Sequence, residues 1–597
     1  MTAWGNWWRV PWSTCATADS TPTRCCLRYA RSCSEPVTAP QICSLSEAEG
    51  TGAMAESEVH EVDFKGVRSG TSALTWGQRW IWEEVGALAP HHAYLNLRMI
   101  LDTEDSVTLD HVLGALKRLL EEQEALRTTF GTSADGDPQQ RLVAEGRLAA
   151  QVRRVSPEAA RRSAYRLAGD LQAVPFEMGE LPVRAGVVVA DGRPRHVILV
   201  VFHMVADGWS LSALRSTLLG LLRPAGYGAA PAAPAGRQPL DQAAWEATPA
   251  AQALSERSLR FWQRQSERRP AALFPVTHRV PEEPRYTDVC MVSSALGTAL
   301  PALAERLSVS QTTVYLALVA VLMGRGAQAG VCGFTLACRN RTTDQDEAAA
   351  GTFVQDAPVL VALGSDSFQD VARRTWNAVV LAYASCAHDP ARVPAAGRDF
   401  ACTVNVELAV DAAPADAVEQ LTRAGRDGTF LSTAGFYRGG RDHDRPGRKM
   451  YLAANGSGGH VITKIVADTS ALGTQAVVDF LTDLEQLAVH ALADEGLDPM
   501  TTPLPRQWTV DSWLPAHEEP PPHAATPEDG GDEAVYQVIV DDQEQYFLLP
   551  KGREVPDGWK AEGTTGGVEV CLAHVVDVVN GLRPLPLSRA RQAGPVR

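Results

Sequence analysis

The sequence predicts a mixed α/β (α+β) protein of two layered lobes, followed by a small domain that joins a short sheet to a helix. Three observations lead there. From Val62 to about Met500, β-branched apolar runs alternate with segments of helical period. A stretch rich in Ala, Pro and Gly, Pro224 to Gly236, interrupts that alternation. A Pro-rich, acidic stretch, 501–532, separates the second half from a compact C-terminal segment. The expected boundaries are a disordered N-terminal extension at 1–60, an N-terminal lobe at 61–236, a C-terminal lobe at 237–500, the linker at 501–532 and the small domain at 533–590.

The elements follow in order. Five of the eleven cysteines, Cys15, Cys25, Cys26, Cys33 and Cys43, precede Met54. They form no C-x-x-C pair and have no partner histidines, so this stretch reads as a disordered extension. Met54 opens "MAESEVHEVDF", which reads as a start. "LTWGQRWIWEEVG" (Leu74–Gly86) is aromatic-rich and helix-compatible. "TLDHVLGALKRLLEEQEALRTTF" (Thr108–Phe130) has Leu109, Val112, Leu113, Leu116 and Leu120 at helical spacing. "HVILVVFHM" (His196–Met204) is nearly all apolar and reads as a buried strand. "DGWS" then turns the chain into a helix with Leu211, Leu214, Leu218 and Leu222 on one face. Ser210 is its expected N-cap and Pro224 its stop.

In the second half, "SERSLRFWQRQSE" (Ser255–Glu267) is helical, and "LAERLSVSQTTVYLALVAVLM" (Leu303–Met323) reads as one long helical pattern. "GVCGFTLACRNR" and "GTFVQDAPVLVAL" follow as strands. "ITKIVADTSALG" leads into the helix "TQAVVDFLTDLEQLAVHAL". The last segment has a β-pattern at Tyr536–Val540, turns at Pro556, Asp557 and Gly558, and a helical run from Val570 to Leu582.

With 597 residues and 45% hydrophobic composition, the chain can build several cores. A net charge of -16 argues against a nucleic-acid groove, which needs a basic surface. No apolar run is long enough to cross a bilayer, and the expected location is cytoplasmic. The scattered later cysteines read as buried thiols. His91–His92 reads as a loop after Pro90. His443, between Asp442 and Asp444, lacks a second ligand cluster, so no metal site is expected.

The candidate site is "VFHMVADGWS" (Val201–Ser210). His203 stands at the end of the apolar run, four residues before Asp207. An imidazole titrating near neutrality is suited to take a proton from a nucleophile. A strand ending in a tight turn fixes it and leaves it reachable. Asp207 can accept the turn's N–H groups, or pair with a distant Arg. Gly208 lets backbone or substrate come close. On spacing alone, a core histidine explains the pattern equally well.

The stretch resembles the H-H-x-x-x-D-G signature of condensation domains from nonribosomal peptide synthetases, of the chloramphenicol acetyltransferase superfamily. Further stretches agree in order from Ser69 to Met500: "LTWGQRWIW", "EALRTTF" with Arg127, "PLDQAAWE", "AGTFVQDAPVLV" and, weakly, "HDPARVP". The resemblance implies two acetyltransferase-like lobes in a V, with a tunnel between them and His203 midway. Donor and acceptor would enter from opposite faces on the phosphopantetheine arms of carrier proteins. His203 matches the active-site histidine. Asp207 would pair with an Arg of the other lobe, for which Arg339 in "LACRNR" is the matching candidate. Gly208 would flank the tunnel, with its N–H facing the developing oxyanion. Three positions depart from the family pattern. Phe202 replaces the first histidine, Gln355 stands where Asn is usual, and Val361 replaces a trailing Arg.

"DDQEQYFLLPKGREVPDGWKAEGTTGGVEVCLAHVVDVVNGLRPLPL" resembles an MbtH-like protein, a small partner of adenylation domains. Gln545, Pro550, Pro556, Gly558, Trp559, Gly563, Cys571, Leu572, Arg583, Pro584 and Leu587 match in order. Phe547 stands where Ser is usual, and Leu549 and Val579 where Trp is. Of the partner-facing set Phe547, Leu549 and Trp559, only Trp559 keeps the expected identity, and losing an aromatic wall removes much contact area.

The resemblances imply a stand-alone acyltransferase that joins a carrier-bound acyl or peptidyl thioester to an amine or alcohol, forming an amide or ester. No cofactor is expected on this chain; the phosphopantetheine belongs to a partner carrier protein. The chain shows no Walker loop, dinucleotide fingerprint or adenylation motif, so substrates are expected on other proteins or free. Two alternatives are a catalytically silent platform that recruits synthetase or tailoring partners, and an MbtH-like activator of an adenylation domain.

Overall fold

The computed structural model describes residues 56–223, 236–269, 280–341, 343–364, 366–393, 400, 402–432, 434–441, 448–457, 459–506, 536–541, 546–552, 555 and 559–566. The first half runs β1 (Glu56–Lys65), β2 (Gly70–Ala73), α1 (Trp76–Leu88), β3 (Asn96–Asp102), α2 (Leu109–Glu122), β4 (Thr128–Thr132), β5 (Pro138–Leu142), β6 (Glu145–Val155), α3 (Pro157–Ala173), β7 (Val183–Ala190), β8 (Arg193–Phe202) and α4 (Gly208–Leu222). Its main sheet has the order β1-β6-β7-β8-β3, with only the β6/β7 pair parallel. A smaller sheet has the order β2-β5-β4.

From Val197 to Phe202, β8 is buried at every residue. That is what a strand covered on both faces requires, and it explains the unbroken apolar run. Helix α3 packs along β7 and β8, while α2 and α4 pack on each other. The strand therefore delivers His203 to a fixed point at its end.

The second half runs α5 (Pro239–Glu246), α6 (Pro249–Arg268), β9 (Tyr286–Ser293), α7 (Ser294–Leu307), α8 (Gln311–Gly326), β10 (Val331–Cys338), α9 (Asp344–Glu347), β11 (Gln355–Ala362), α10 (Phe368–Tyr383), β12 (Cys402–Glu407), α11 (Ala415–Arg426), β13 (Gly435–Arg441), β14 (Met450–Ser457), β15 (His460–Asp468) and α12 (Thr474–Ala493). Its sheet has the order β11-β10-β12-β14-β15-β9-β13. Helices α7, α8 and α12 share one continuous core with it. Although α5 follows the expected lobe boundary, it packs on β2 of the first half.

Four local expectations are corrected. The pattern Leu303–Met323 is two helices, α7 and α8, bent by 104°. Ser308 takes a left-handed conformation (φ 54°) that ends α7, and Ser310 caps α8 through the Thr313 N–H. The apolar run continues because both helices are buried. The pattern Thr108–Phe130 stays helical only to Glu122, and Thr128–Thr132 pairs as a strand with β5. Asp207, not Ser210, is the N-cap of α4; its carboxylate accepts the Ser210 N–H. Finally, β1 begins at Glu56, inside the stretch expected to be an extension, and pairs along its whole length with β6.

Near the C-terminus, β16 (Tyr536–Asp541), β17 (Tyr546–Pro550) and β18 (Trp559–Gly566) form an antiparallel sheet ordered β17-β16-β18. The turn at Pro556–Gly558, the helical run Val570–Leu582, residues 224–235 of the expected loop, the expected linker from 507 onward, His443 and the N-terminal cysteines lie outside the described residues. Leu504, at the start of that linker, is buried in the core of the second half. No single helix among the described residues is long and apolar enough to cross a membrane. Among them no cluster of His, Cys, Asp or Glu is arranged to hold a metal ion.

Candidate active site

The site is built where the end of β8 meets a strand-connecting segment of the second half. Asp207 is 4% exposed and its carboxylate is fully engaged. Oδ1 accepts from the Ser210 N–H (2.9 Å) and from Arg341 Nη2 (2.8 Å), and Oδ2 accepts from the Phe353 N–H (3.0 Å). Arg341 has a side-chain exposure of 0%. Its guanidinium also donates to Ser210 Oγ (2.8 Å) and to the carbonyls of Ala349 (2.9 Å), Gly351 (3.1 Å) and Asp346, and it lies over the Phe353 ring at 4.5 Å. A buried charge pair holds only with such additional hydrogen bonds.

The expected partner of Asp207 was Arg339, and the structure corrects this to Arg341. Arg339 is 51% exposed, pairs with Glu347 at 3.3 Å and lies over the Trp209 ring at 5.0 Å. The cause is Asn340. Its left-handed backbone (φ 52°) breaks strand parity just past β10, so the residues on either side point apart.

His203 follows β8, its N–H donating to the Leu95 carbonyl at 3.1 Å. Its carbonyl accepts from Thr352 Oγ1. The imidazole is crowded by protein yet keeps accessible surface, and among the described residues its Nδ1 has no hydrogen-bond partner. Burial pushes the imidazole below its ordinary value of 6.5, opposed by nearby carbonyls and by the charges of Asp207 and Glu84. The shift favours the neutral ring, the form that can accept a proton.

Gly208 opens α4 and is exposed, and a Cβ there would meet nothing within 4 Å. Phe202 is 1% exposed and stacks on Phe176 with ring centroids 5.3 Å apart. The position is a packing position, and an apolar ring fills it. Gln355 is buried as well. It donates to the His388 carbonyl (2.7 Å) and accepts from Asn340 Nδ2 (3.0 Å), so its longer arm joins two segments.

Sequence reasoning missed Arg341, Ser210 Oγ, Thr352 and the pair Glu84–Arg448 (3.4 Å), which links α1 to the start of β14. The signal for Arg341 was present in "CRNR", as a second Arg beyond an Asn. Of the partner-surface set, Leu549 pairs opposite Gln537, Phe547 opposite Ile539, and Trp559 opposite Asp541 along the backbone.

Comparison with known proteins identifies the family and the fold. The condensation domain family model matches residues 69–385, and the MbtH-like protein model matches 525–591. The chain is 26% identical over 362 residues to the bassianolide nonribosomal cyclodepsipeptide synthetase of Beauveria bassiana, covering 58% of this chain and 11% of that one. It is 24% identical over 289 residues to the enniatin synthase of Fusarium equiseti, covering 47% of this chain and 9% of that one. The chain thus spans a small part of these relatives' length. A solved structure concerning condensation domain-mediated chain release from the enacyloxin polyketide synthase superposes with a TM-score of 0.58 at 21% identity. It covers 72% of this chain and 84% of that one. The fold is thus that of condensation domains, two chloramphenicol acetyltransferase-like units. By its sequence match over more than half its length, the chain belongs to the condensation domain family of nonribosomal peptide synthesis, with an MbtH-like segment near its C-terminus.

Proposed function

We propose that the protein is an acyltransferase that moves an acyl or peptidyl group from a carrier-bound phosphopantetheine thioester to an amine or alcohol. The observation that supports this most directly is the placement of His203: partly accessible, held at the end of a buried strand by bonds to Leu95 and Thr352, and four residues before the Asp207–Arg341 lock. In this reading the nucleophile gives its proton to the imidazole as it attacks the thioester carbonyl. The C–S bond then breaks, the amide or ester bond forms, and the proton passes to the leaving thiolate. The oxyanion of the tetrahedral intermediate would face the Gly208 N–H at the positive end of α4. The exposed Gly208, with no Cβ to fill the space beside it, leaves room for substrate. Asp207 and Arg341 hold the loop and do not touch the reacting atoms.

The test is reconstitution with acyl-loaded carrier protein and an amine acceptor, read by intact mass. Wild type should form product, and His203→Ala should lose it while still binding the carrier. Unchanged product from the variant would favour the silent-platform reading.

A second reading concerns residues 525–591, supported by their family match. We propose that this segment contacts an adenylation domain through the β16–β18 sheet, more weakly than usual because Leu549 replaces an aromatic wall. Co-purification of an adenylation domain with the full chain, tighter on Leu549→Trp, is the expected outcome. No association with either form would contradict it.

A further inference from the structure

Three successive residues of the second half, Gly351, Thr352 and Phe353, are stitched to the loop that carries His203. The Gly351 N–H donates to Ser210 Oγ (3.0 Å), Thr352 Oγ1 donates to the His203 carbonyl, and the Phe353 N–H donates to Asp207 Oδ2 (3.0 Å). The segment cannot move away freely on its other side. The Thr352 carbonyl lies against α1, where a Cβ on Gly77 would come within 2.0 Å of it. Thr352 is 4% exposed, so its hydroxyl faces no competing water.

The three bonds differ in what they hold. Those of Gly351 and Phe353 act on Ser210 and Asp207, which lock the turn. Only the Thr352 hydroxyl acts on the peptide of the candidate base itself. A change of one methyl for one hydroxyl there leaves volume almost unchanged and removes a single donor.

Resting on the acyl-transfer reading above, we propose that Thr352 is a positioning residue: its hydroxyl, supplied by the second half of the chain, fixes the His203 peptide so that the imidazole is aimed at the reacting carbonyl. Small displacements of a catalytic group are costly in rate. The loss should therefore appear in kcat and leave KM nearly unchanged. The His203 carbonyl is among the groups that raise the imidazole's titration against burial, so freeing it of the Thr352 hydroxyl should strengthen that effect and move the titration upward. Asp207 and Glu84, the charges that reach the ring, are untouched by the change.

The experiment compares full-length wild type, Thr352→Val, Thr352→Ser and His203→Ala. Each is assayed for single-turnover transfer, and the His203 ring is titrated by NMR with the alanine variant as its assignment. For Thr352→Val we expect kcat lowered by roughly tenfold, KM unchanged, the His203 midpoint raised, and recovery of both in Thr352→Ser. If His203→Ala is inactive while Thr352→Val matches wild type in kcat and titration, the positioning role is overturned and the acyl-transfer reading stands. If His203→Ala transfers as fast as wild type, the acyl-transfer reading falls and this role with it.

Discussion

At the scale of single residues, the Asp207–Arg341 pair shows what a buried charge demands. Neither group is exposed, and each meets several partners. Removing one partner leaves the other uncompensated, which typically costs about 3–5 kcal/mol. Arg341→Met should therefore lower the apparent unfolding free energy by that order in a urea titration. Arg339→Ala, at a half-exposed position, should change it by no more than about 0.5 kcal/mol. Equal effects of the two would contradict the assignment. The distinction was only partly legible in the sequence. "CRNR" announced an arginine near the site, but the left-handed Asn340 decides which of the two turns inward, and no strand periodicity reports that. His203, Asp207 and Gly208 were legible because three residue types fall together after a buried run. A second expectation concerns pH. Burial lowers the imidazole's folded value below 6.5, so the neutral base persists as pH falls past that point. The acid limb of kcat/KM should have its midpoint below about 6.5. A midpoint above it would exclude His203 as the group observed.

At the scale of elements, α1 and α5 meet through a buried carboxyl. Glu246 accepts from the Trp76 N–H (2.8 Å) and from Gln242 Nε2 (2.7 Å), two donors that favour its charge. Burial outweighs them and pushes it from 4.5 up to about 8. A carboxyl raised in the folded state stabilises fully below its unfolded value and loses that contribution as pH rises through the folded value. The melting temperature should therefore fall progressively from about pH 4.5 to about pH 8 and level off above that, and Glu246→Gln should flatten the fall. An identical slope in the variant would show that another group is responsible. The sequence marked "PLDQAAWE" as a motif but gave no sign that its glutamate is buried, because that depends on α5 crossing back to β2. The same limit explains α7 and α8. Their boundary rests on the backbone of Ser308, while the apolar pattern runs on through both.

At the scale of the whole molecule, the candidate site exists only because the two halves meet. β8 and α4 supply His203, Asp207 and Gly208; the segment after α9 supplies Thr352 and Phe353; and Glu84 of α1 meets Arg448, with side-chain exposures of 8% and 11%. The Glu84–Arg448 pair tests that union through stability. Arg448→Met alone should destabilise the protein, and the double change with Glu84→Met should recover much of the loss, since two apolar groups leave no charge stranded. A double variant no better than the single one would contradict this. The alternation of strands and helices in the sequence made the two-lobed architecture legible. The bonds that join the lobes were not, because they pair residues more than a hundred positions apart.

Whether His203 removes the proton can be asked directly by chemical rescue. Single-turnover acyl transfer from a loaded carrier should be slower by about 10²–10⁴-fold in His203→Ala, and added imidazole should restore part of the rate as the free base. A variant that transfers at the wild-type rate without imidazole would show that this side chain is not the base.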